Sequence, residues 1–275
     1  MGQILEDLET VVVRSLRDSD RIGYFAAFHG WVVKEVQIGL ERGYFVDAER
    51  VERLHCNFSR RYLEALASYR HGNGLARCWR SAFEAASSKR FLILQHLLLA
   101  LNAHVNLDLG IAVNRVAPSA ARLKEVESDF VRLCRILDGM VGQVQRRIVE
   151  ISPWIGLLDR MGQRKKGRFV DFSTRAAGKA SWKVSKDLSV LNSQQQRELL
   201  RTLDGAVMAS QRRLEGRKPH VRLAMWLVRR KESSDIRRNI QFFQEGFGTS
   251  SGEVIQSLLS HAPARLRTAS QASGA

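Results

Sequence analysis

The sequence is short of cysteine and proline and lacks the alternating apolar and polar pattern of exposed β-strands. Its 275 residues include only four prolines and three cysteines. Cys56, Cys78 and Cys134 are odd in number and lack metal-type spacing, which argues against a disulfide scaffold and a zinc finger. The few prolines exclude a collagen-like or proline-rich chain. Neither a phosphate-binding loop nor a dinucleotide fingerprint is present.

Apolar residues recur instead at helical spacing along almost the whole chain, which predicts an all-α protein. The 44% of hydrophobic residues are enough to bury a substantial core in a chain of this length. We predict a single-domain multi-helix bundle over residues 1–260, built around a buried helix at about 89–109. The basic, turn-like segment 162–168 is the best internal break, and the small residues of 261–275 predict a flexible tail.

No targeting or membrane-spanning segment is expected. The first eight residues, MGQILEDL, are acidic and interrupted, unlike the basic start and apolar core of a secretory signal. The longest apolar stretch, residues 91–113, is long enough to span a bilayer. It contains six polar or charged side chains, however, most of which lipid would penalise. We therefore expect a buried helix and a cytoplasmic protein.

Positive charge is concentrated in the C-terminal part. Residues 1–150 carry 21 Lys and Arg against 18 Asp and Glu, whereas residues 151–275 carry 23 against 10. This asymmetry is typical of a protein that binds an anionic ligand or nucleic acid, although a solvated basic face would give the same counts. No zinc-finger spacing or RNP-type run accompanies it.

The most informative segment is residues 95–109, QHLLLALNAHVNLDL. On a helix, His96, His104 and Asp108 lie on one face, and Asn102 and Asn106 lie on another. A surface helix would gather its polar residues on one side, so this pattern predicts a buried helix whose polar groups need partners. Such a set is typical of a functional site, and a purely structural network is the alternative.

The spacing of His104 and Asp108 allows two chemistries. At four residues apart on a helix, the carboxylate can orient the imidazole as a general base, or both groups can bind one divalent metal ion. His96 lies on the same face but about 12 Å away along the helix axis, where it would contact the far end of a substrate. We expect Asn102 and Asn106 to join this helix to its neighbours or to contact substrate.

Three other patterns have simpler explanations. Glu52 and His55 match half of a di-iron helix pair, but no second Glu-x-x-His follows, so we expect a surface pair. Residues 248–252, GTSSG, match a nucleophile elbow, which requires a preceding strand. We interpret them as a turn in which Ser251 caps the next helix. His29 lies among aromatic residues and is expected to be a core histidine.

Several landmarks resemble a bacterial all-helical family described only as a domain of unknown function. They are RYLEAL from Arg61, CWRSAFEAA from Cys78, QHLLLALNAHVNLD from Gln95 and SPWIGLLD from Ser152. The resemblance extends over about residues 20–190 and implies one helical domain without an established activity. Arg61 and Trp79, which lie in two of these landmarks, are further candidates for substrate contact.

Two classes of function remain open. The first is an enzyme with a buried His/Asp/Asn site that acts by acid–base or metal-assisted chemistry on a small anionic or amphiphilic molecule. The pair His104 and Asp108 is similar to one ligand pair of the helical zinc-dependent phospholipases and nucleases, which would imply a divalent metal. The second is a non-catalytic basic helical module that binds nucleic acid or an anionic surface.

Overall fold

The computed structural model describes residues 1–156, 174–215, 219–248 and 252–261. These ranges contain eleven helices and no strand, so the predicted all-α fold is confirmed. The helices are α1 (Gly2–Asp18), α2 (Ile22–Glu41), α3 (Ala48–Arg70), α4 (Arg77–Ser87), α5 (Ile93–Val116), α6 (Ala120–Arg147), α7 (Thr174–Val190), α8 (Ser193–Leu214), α9 (Pro219–Arg229), α10 (Ile236–Gly248) and α11 (Glu253–Ser260). The predicted break at 162–168 lies outside the described residues, as does the tail at 261–275 apart from His261.

Local sequence signals explain where several helices begin. Asp47 precedes α3, and its carboxylate accepts the N–H of Arg50 at 2.9 Å, which satisfies one of the free N–H groups of the first turn. The N-cap of α11 is Gly252, whose φ of 88° suits glycine. Ser251, the expected cap, lies outside the described residues. The segment before 248–252 is the helix α10, not the strand that a nucleophile elbow requires.

Buried carboxylates from distant helices cap other helix starts. Glu35 of α2 is fully buried and accepts the N–H groups of Gly252 at 2.8 Å and Ile255 at 2.9 Å. Asp129 of α6 accepts backbone N–H groups just before α3. Asp204 of α8 accepts backbone N–H groups at the start of α4. The free N–H groups of a helix start favour a negative charge. These pairs therefore fix how the helices are arranged around one another.

The helix α5 lies at the centre of the bundle and packs against α2, α3, α4, α7 and α8. Among the described residues it is the one helix long and apolar enough to cross a membrane, and 89% of its most apolar 18-residue window is buried inside the protein. At Gly110 the helix approaches α7 so closely that a Cβ atom would lie 2.8 Å from the Ser181 carbonyl. The predicted central helix is therefore present, extended to residue 116.

Candidate active site

The middle of α5 departs from regular α-helix where its polar residues are densest. Residues His104–Asp108 form a π-helical turn, whereas the sequence predicts uninterrupted α-helix. The Ser181 hydroxyl of α7 donates to the Val105 carbonyl inside this turn at 2.7 Å. π-Helical turns within α-helices occur frequently at functional sites. The turn also sets the direction in which His104 and Asp108 leave the helix.

Asp108 accepts hydrogen bonds from three side chains on three helices. Arg61 Nε of α3 lies 2.7 Å from Oδ1, and Trp79 Nε1 of α4 lies 2.9 Å from Oδ2. His104 Nδ1 lies 3.2 Å from the same Oδ2. Since a carboxylate only accepts, this contact assigns the proton of a neutral His104 to Nδ1 and leaves a lone pair on Nε2. Arg61 and Trp79, two of the sequence candidates for substrate contact, thus join the predicted pair.

Two further histidines, which sequence reasoning did not place in the site, lie beside His104. The centroids of His29 and His104 are 4.8 Å apart, and His29 Nε2 lies 2.9 Å from the Ser59 hydroxyl. His55 stacks parallel to His29 with centroids 6.3 Å apart. We call His29, His55 and His104 the histidine cluster.

The expectation of a surface pair at Glu52 and His55 is wrong for His55. Glu52 is exposed and bonds to the N-terminal amine of Met1, but His55 is 0% exposed. A signal was available in the sequence: His55 lies four residues after Val51 and three before Phe58, both in the apolar stripe of α3. The expectation that His29 is a core histidine is confirmed, since it is almost fully buried.

Burial keeps the histidine cluster uncharged. It lowers the pKa of His55 to about 3, and it lowers the pKa of His29 well below 6.5, to which the neighbouring histidines also contribute. Burial likewise lowers the pKa of His104, against the opposing effect of Asp108. A charged imidazole would be costly in this apolar setting, where the His104 ring stacks on Phe58 with centroids 3.7 Å apart.

Several polar atoms of the site have no hydrogen-bond partner among the residues that the structure describes. They are His104 Nε2, both ring nitrogens of His55 and the hydroxyl of Tyr62, whose ring centroid lies 6.3 Å from that of His104. Leaving a buried polar group unpaired costs about 1–3 kcal/mol. Buried polar groups are paired in most proteins, so a group of exceptions in one place calls for a functional or ligand-based explanation.

The donor geometry favours acid–base chemistry over metal binding. His104 Nδ1 and Asp108 Oδ2 point at each other, and Asp108 Oδ1 is occupied by Arg61. Within the described ranges, no group of three or more His, Cys, Asp or Glu side chains is arranged to hold a metal ion. A protein site for zinc needs three or four ligands directed at one point.

The remaining candidates lie apart from Asp108. His96 is buried between Tyr24 and Phe91, with ring centroids 6.1 and 5.9 Å away, and it shares no ring contact with His104. Asn106 donates to Asn102 at 2.9 Å, and Asn102 in turn donates to a carbonyl of α8 at 3.3 Å. The two amides therefore join α5 to α8, which agrees with the expectation that they connect this helix to its neighbours. They do not face the histidine cluster.

Replacing His55 with leucine is expected to raise the free energy of unfolding at neutral pH by about 1–3 kcal/mol. Leucine has a similar volume and removes two unpaired buried nitrogens. Urea unfolding followed by circular dichroism measures the change. A marked loss of stability would instead show that the His55 nitrogens have partners in solution.

Comparison with known proteins identifies a family but no activity. A family model with the description "Family of unknown function (DUF5995)" matches residues 1–215. No curated protein and no solved structure matches the chain. The matched stretch contains the Asp108 contacts and the whole histidine cluster, and it ends before α9. The chain therefore belongs to the DUF5995 family, a family of unknown function.

Proposed function

We propose that this protein is an enzyme in which His104, oriented by Asp108, moves a proton to or from a small substrate. The observation that carries the proposal is the state of the His104 ring. Its Nδ1 is fixed by a carboxylate, while its Nε2 is buried and has no partner in the described part of the chain. An imidazole held in this way by an acidic side chain is a common arrangement for a general base.

The chemistry follows from the two ring nitrogens. The lone pair of His104 Nε2 takes a proton from the substrate, and the positive charge that forms on the ring lies 3.2 Å from the Asp108 carboxylate. In a low-dielectric site this interaction stabilises the imidazolium more than it would in water. Arg61 and Trp79 are positioning residues, because they hold Asp108 while it orients the ring.

The surroundings also suggest the kind of substrate. The side chains of His104 and Asp108 are almost fully buried, whereas Arg61 is 23% exposed. Only Nε of Arg61 bonds to Asp108, and no other carboxylate of the described residues pairs with it. A guanidinium recognises carboxylates and phosphates through several N–H groups. We therefore propose a small anionic substrate that enters along Arg61.

Proton abstraction can be tested without knowing the product. A mixture of small hydroxy, keto and amino acids and their methyl esters is incubated with the protein in D2O and followed by proton NMR. Exchange of a C–H group or hydrolysis of an ester is expected for at least one component. Because burial lowers the pKa of His104, the base form persists below pH 6.5, so the rate should decline only at lower pH.

The control variants separate the site from general effects. His104→Gln is expected to reduce the reaction by about 100-fold or more, since general-base catalysis contributes on this order. His71→Gln, which changes an exposed histidine, should react like the wild type. A His104→Gln variant with the parental rate would contradict the proposal. The proposal would also be contradicted if the wild type did not react and the His104→Phe variant were more stable than the wild type. The histidine cluster would then have only a structural role.

A further inference from the structure

The helix α9 presents large apolar side chains to solvent. Leu223 is 60% exposed, Trp226 51% and Leu227 37%. Their spacing of three and four residues puts them on one side of the helix. We call these three residues the α9 stripe. On the opposite side, Ala224 and Val228 are buried in the core, so the helix is already packed and the stripe is an additional apolar surface.

Basic side chains surround the α9 stripe. At about 100° per residue, Arg222 and Arg229 border the stripe on the Trp226 side, and Arg230 directly follows the helix. The Arg230 guanidinium lies over the Trp226 ring, 4.9 Å from its centroid. Exposed apolar groups and positive charge therefore occupy one continuous surface.

A basic cavity opens next to the stripe and shares Trp226 with it. The cavity has a volume of about 790 Å³ and is lined by Lys89, Arg90, Arg222 and Arg229, with Glu215 as its acidic residue. Within the described ranges, no ion pair joins any of these four cations to a carboxylate. Four cations beside one carboxylate in a concave surface attract anionic groups.

A second pair of aromatic and basic side chains lies outside α9. Trp154 is 42% exposed, and the Lys231 amine lies 5.8 Å from its ring centroid. Tryptophan and basic residues at an apolar surface are typical of proteins that lie at the boundary between lipid headgroups and acyl chains. Large exposed apolar patches on folded proteins commonly mark surfaces that bind a membrane or another protein.

We propose that α9 docks this protein on an anionic phospholipid bilayer. Leu223, Trp226 and Leu227 enter the boundary between headgroups and acyl chains, and the arginines beside them contact the lipid phosphates. Charge complementarity selects an anionic surface, and the two leucines favour a bilayer over nucleic acid, which is bound through cations and stacked aromatic rings. The stripe follows residue 215, where the family match ends, and none of its three residues belongs to the acid–base site.

Vesicle sedimentation tests the proposal with the full chain. The protein is expected to pellet with vesicles of phosphatidylcholine and phosphatidylglycerol but not with phosphatidylcholine alone. The pelleted fraction should fall as salt rises, because the attraction is screened. Leu223→Ser combined with Leu227→Ser is expected to weaken binding by about tenfold or more, since apolar burial is lost. Arg222→Glu combined with Arg230→Glu should weaken it as well.

A matched control uses another exposed apolar residue. Val190 of α7 is 77% exposed, and Val190→Ser should bind vesicles like the wild type. The melting temperatures of all variants are compared, because the replaced side chains are exposed and should leave the fold intact.

Three results would overturn the proposal. They are no binding to anionic vesicles, equal binding to neutral and anionic vesicles, and unchanged vesicle binding by the double leucine variant. Salt-sensitive binding of a single-stranded oligonucleotide that the leucine changes leave intact, together with no vesicle binding, would assign the basic surface to nucleic acid.

Discussion

Replacing Asp108 with alanine is expected to lower the free energy of unfolding by about 3–5 kcal/mol. The change removes the shared acceptor of Arg61, Trp79 and His104 and leaves two buried N–H groups and a partly buried cation without a partner. Asp108→Asn keeps the shape of the side chain and one acceptor oxygen, so its loss should be smaller. Urea unfolding of each variant, followed by circular dichroism, measures these differences.

A surface ion pair provides the comparison. Asp187 pairs with Lys183 at 2.7 Å on the exposed side of α7, and Asp187→Ala should cost about 0.5 kcal/mol. If Asp108→Ala cost no more than Asp187→Ala, the Asp108 contacts would not stabilise the fold. The enzyme proposal does not depend on this result, because it is judged on the rate of the His104 variants.

The protein is expected to unfold in mild acid. Burial lowers the pKa of His29, His55, His96 and His104, to about 3 for His55 and His96. Unfolded histidine has a pKa of about 6.5. Below that pH the unfolded chain binds protons that the folded protein does not, so stability present above pH 6.5 is lost as the pH falls. Each such histidine lowers the free energy of unfolding by about 1.4 kcal/mol for every pH unit below about 6.5.

One buried carboxyl group acts in the opposite direction. Burial raises the pKa of Glu232 to about 7, so between about pH 4.5 and 7 the folded state binds the extra proton and stability from this group rises as the pH falls. This proton offsets one of the three histidines whose pKa is lowered furthest, His29, His55 and His96. Two remain, which together lower the free energy of unfolding by about 3 kcal/mol per pH unit, against a total stability of about 5–15 kcal/mol. The midpoint of acid unfolding is therefore expected at about pH 3–5.

Circular dichroism across a pH series measures the midpoint. His55→Leu and His96→Leu should each move it to lower pH, because one proton-binding group of the unfolded chain is removed. His71→Gln, at a residue exposed in the folded protein, should leave it unchanged. A protein that stays folded at pH 2, or a His55→Leu variant with the parental midpoint, would show that the buried histidines do not control acid stability.

Much of the architecture is a local property of the chain. The helices follow from apolar residues at intervals of three and four, and Asp47 caps α3 through a bond to its own third neighbour. The contact of His104 with Asp108 is local in the same sense, since residues four apart on a helix are neighbours whatever surrounds them. Periodicity and spacing are sufficient for such features.

Contacts between helices are not encoded in this way. Glu35 reaches the start of α11 from more than 200 residues away along the chain, and no periodic pattern shows which acidic side chain will meet which helix start. The same limit explains the error at His55. A polar residue beside an apolar stripe can point to solvent or inward, and the packing of α2 on α3 decides between them.

The sequence by itself therefore determined an all-helical protein with a polar central helix and a His104–Asp108 pair, because these depend on neighbours along one helix. Tertiary structure alone decided that Arg61 and Trp79 hold Asp108, that His29 and His55 complete the histidine cluster, and that His104–Asp108 adopt a π-helical turn. The physical reason is that three helices distant in sequence must first pack together before their polar groups can pair and lose contact with water.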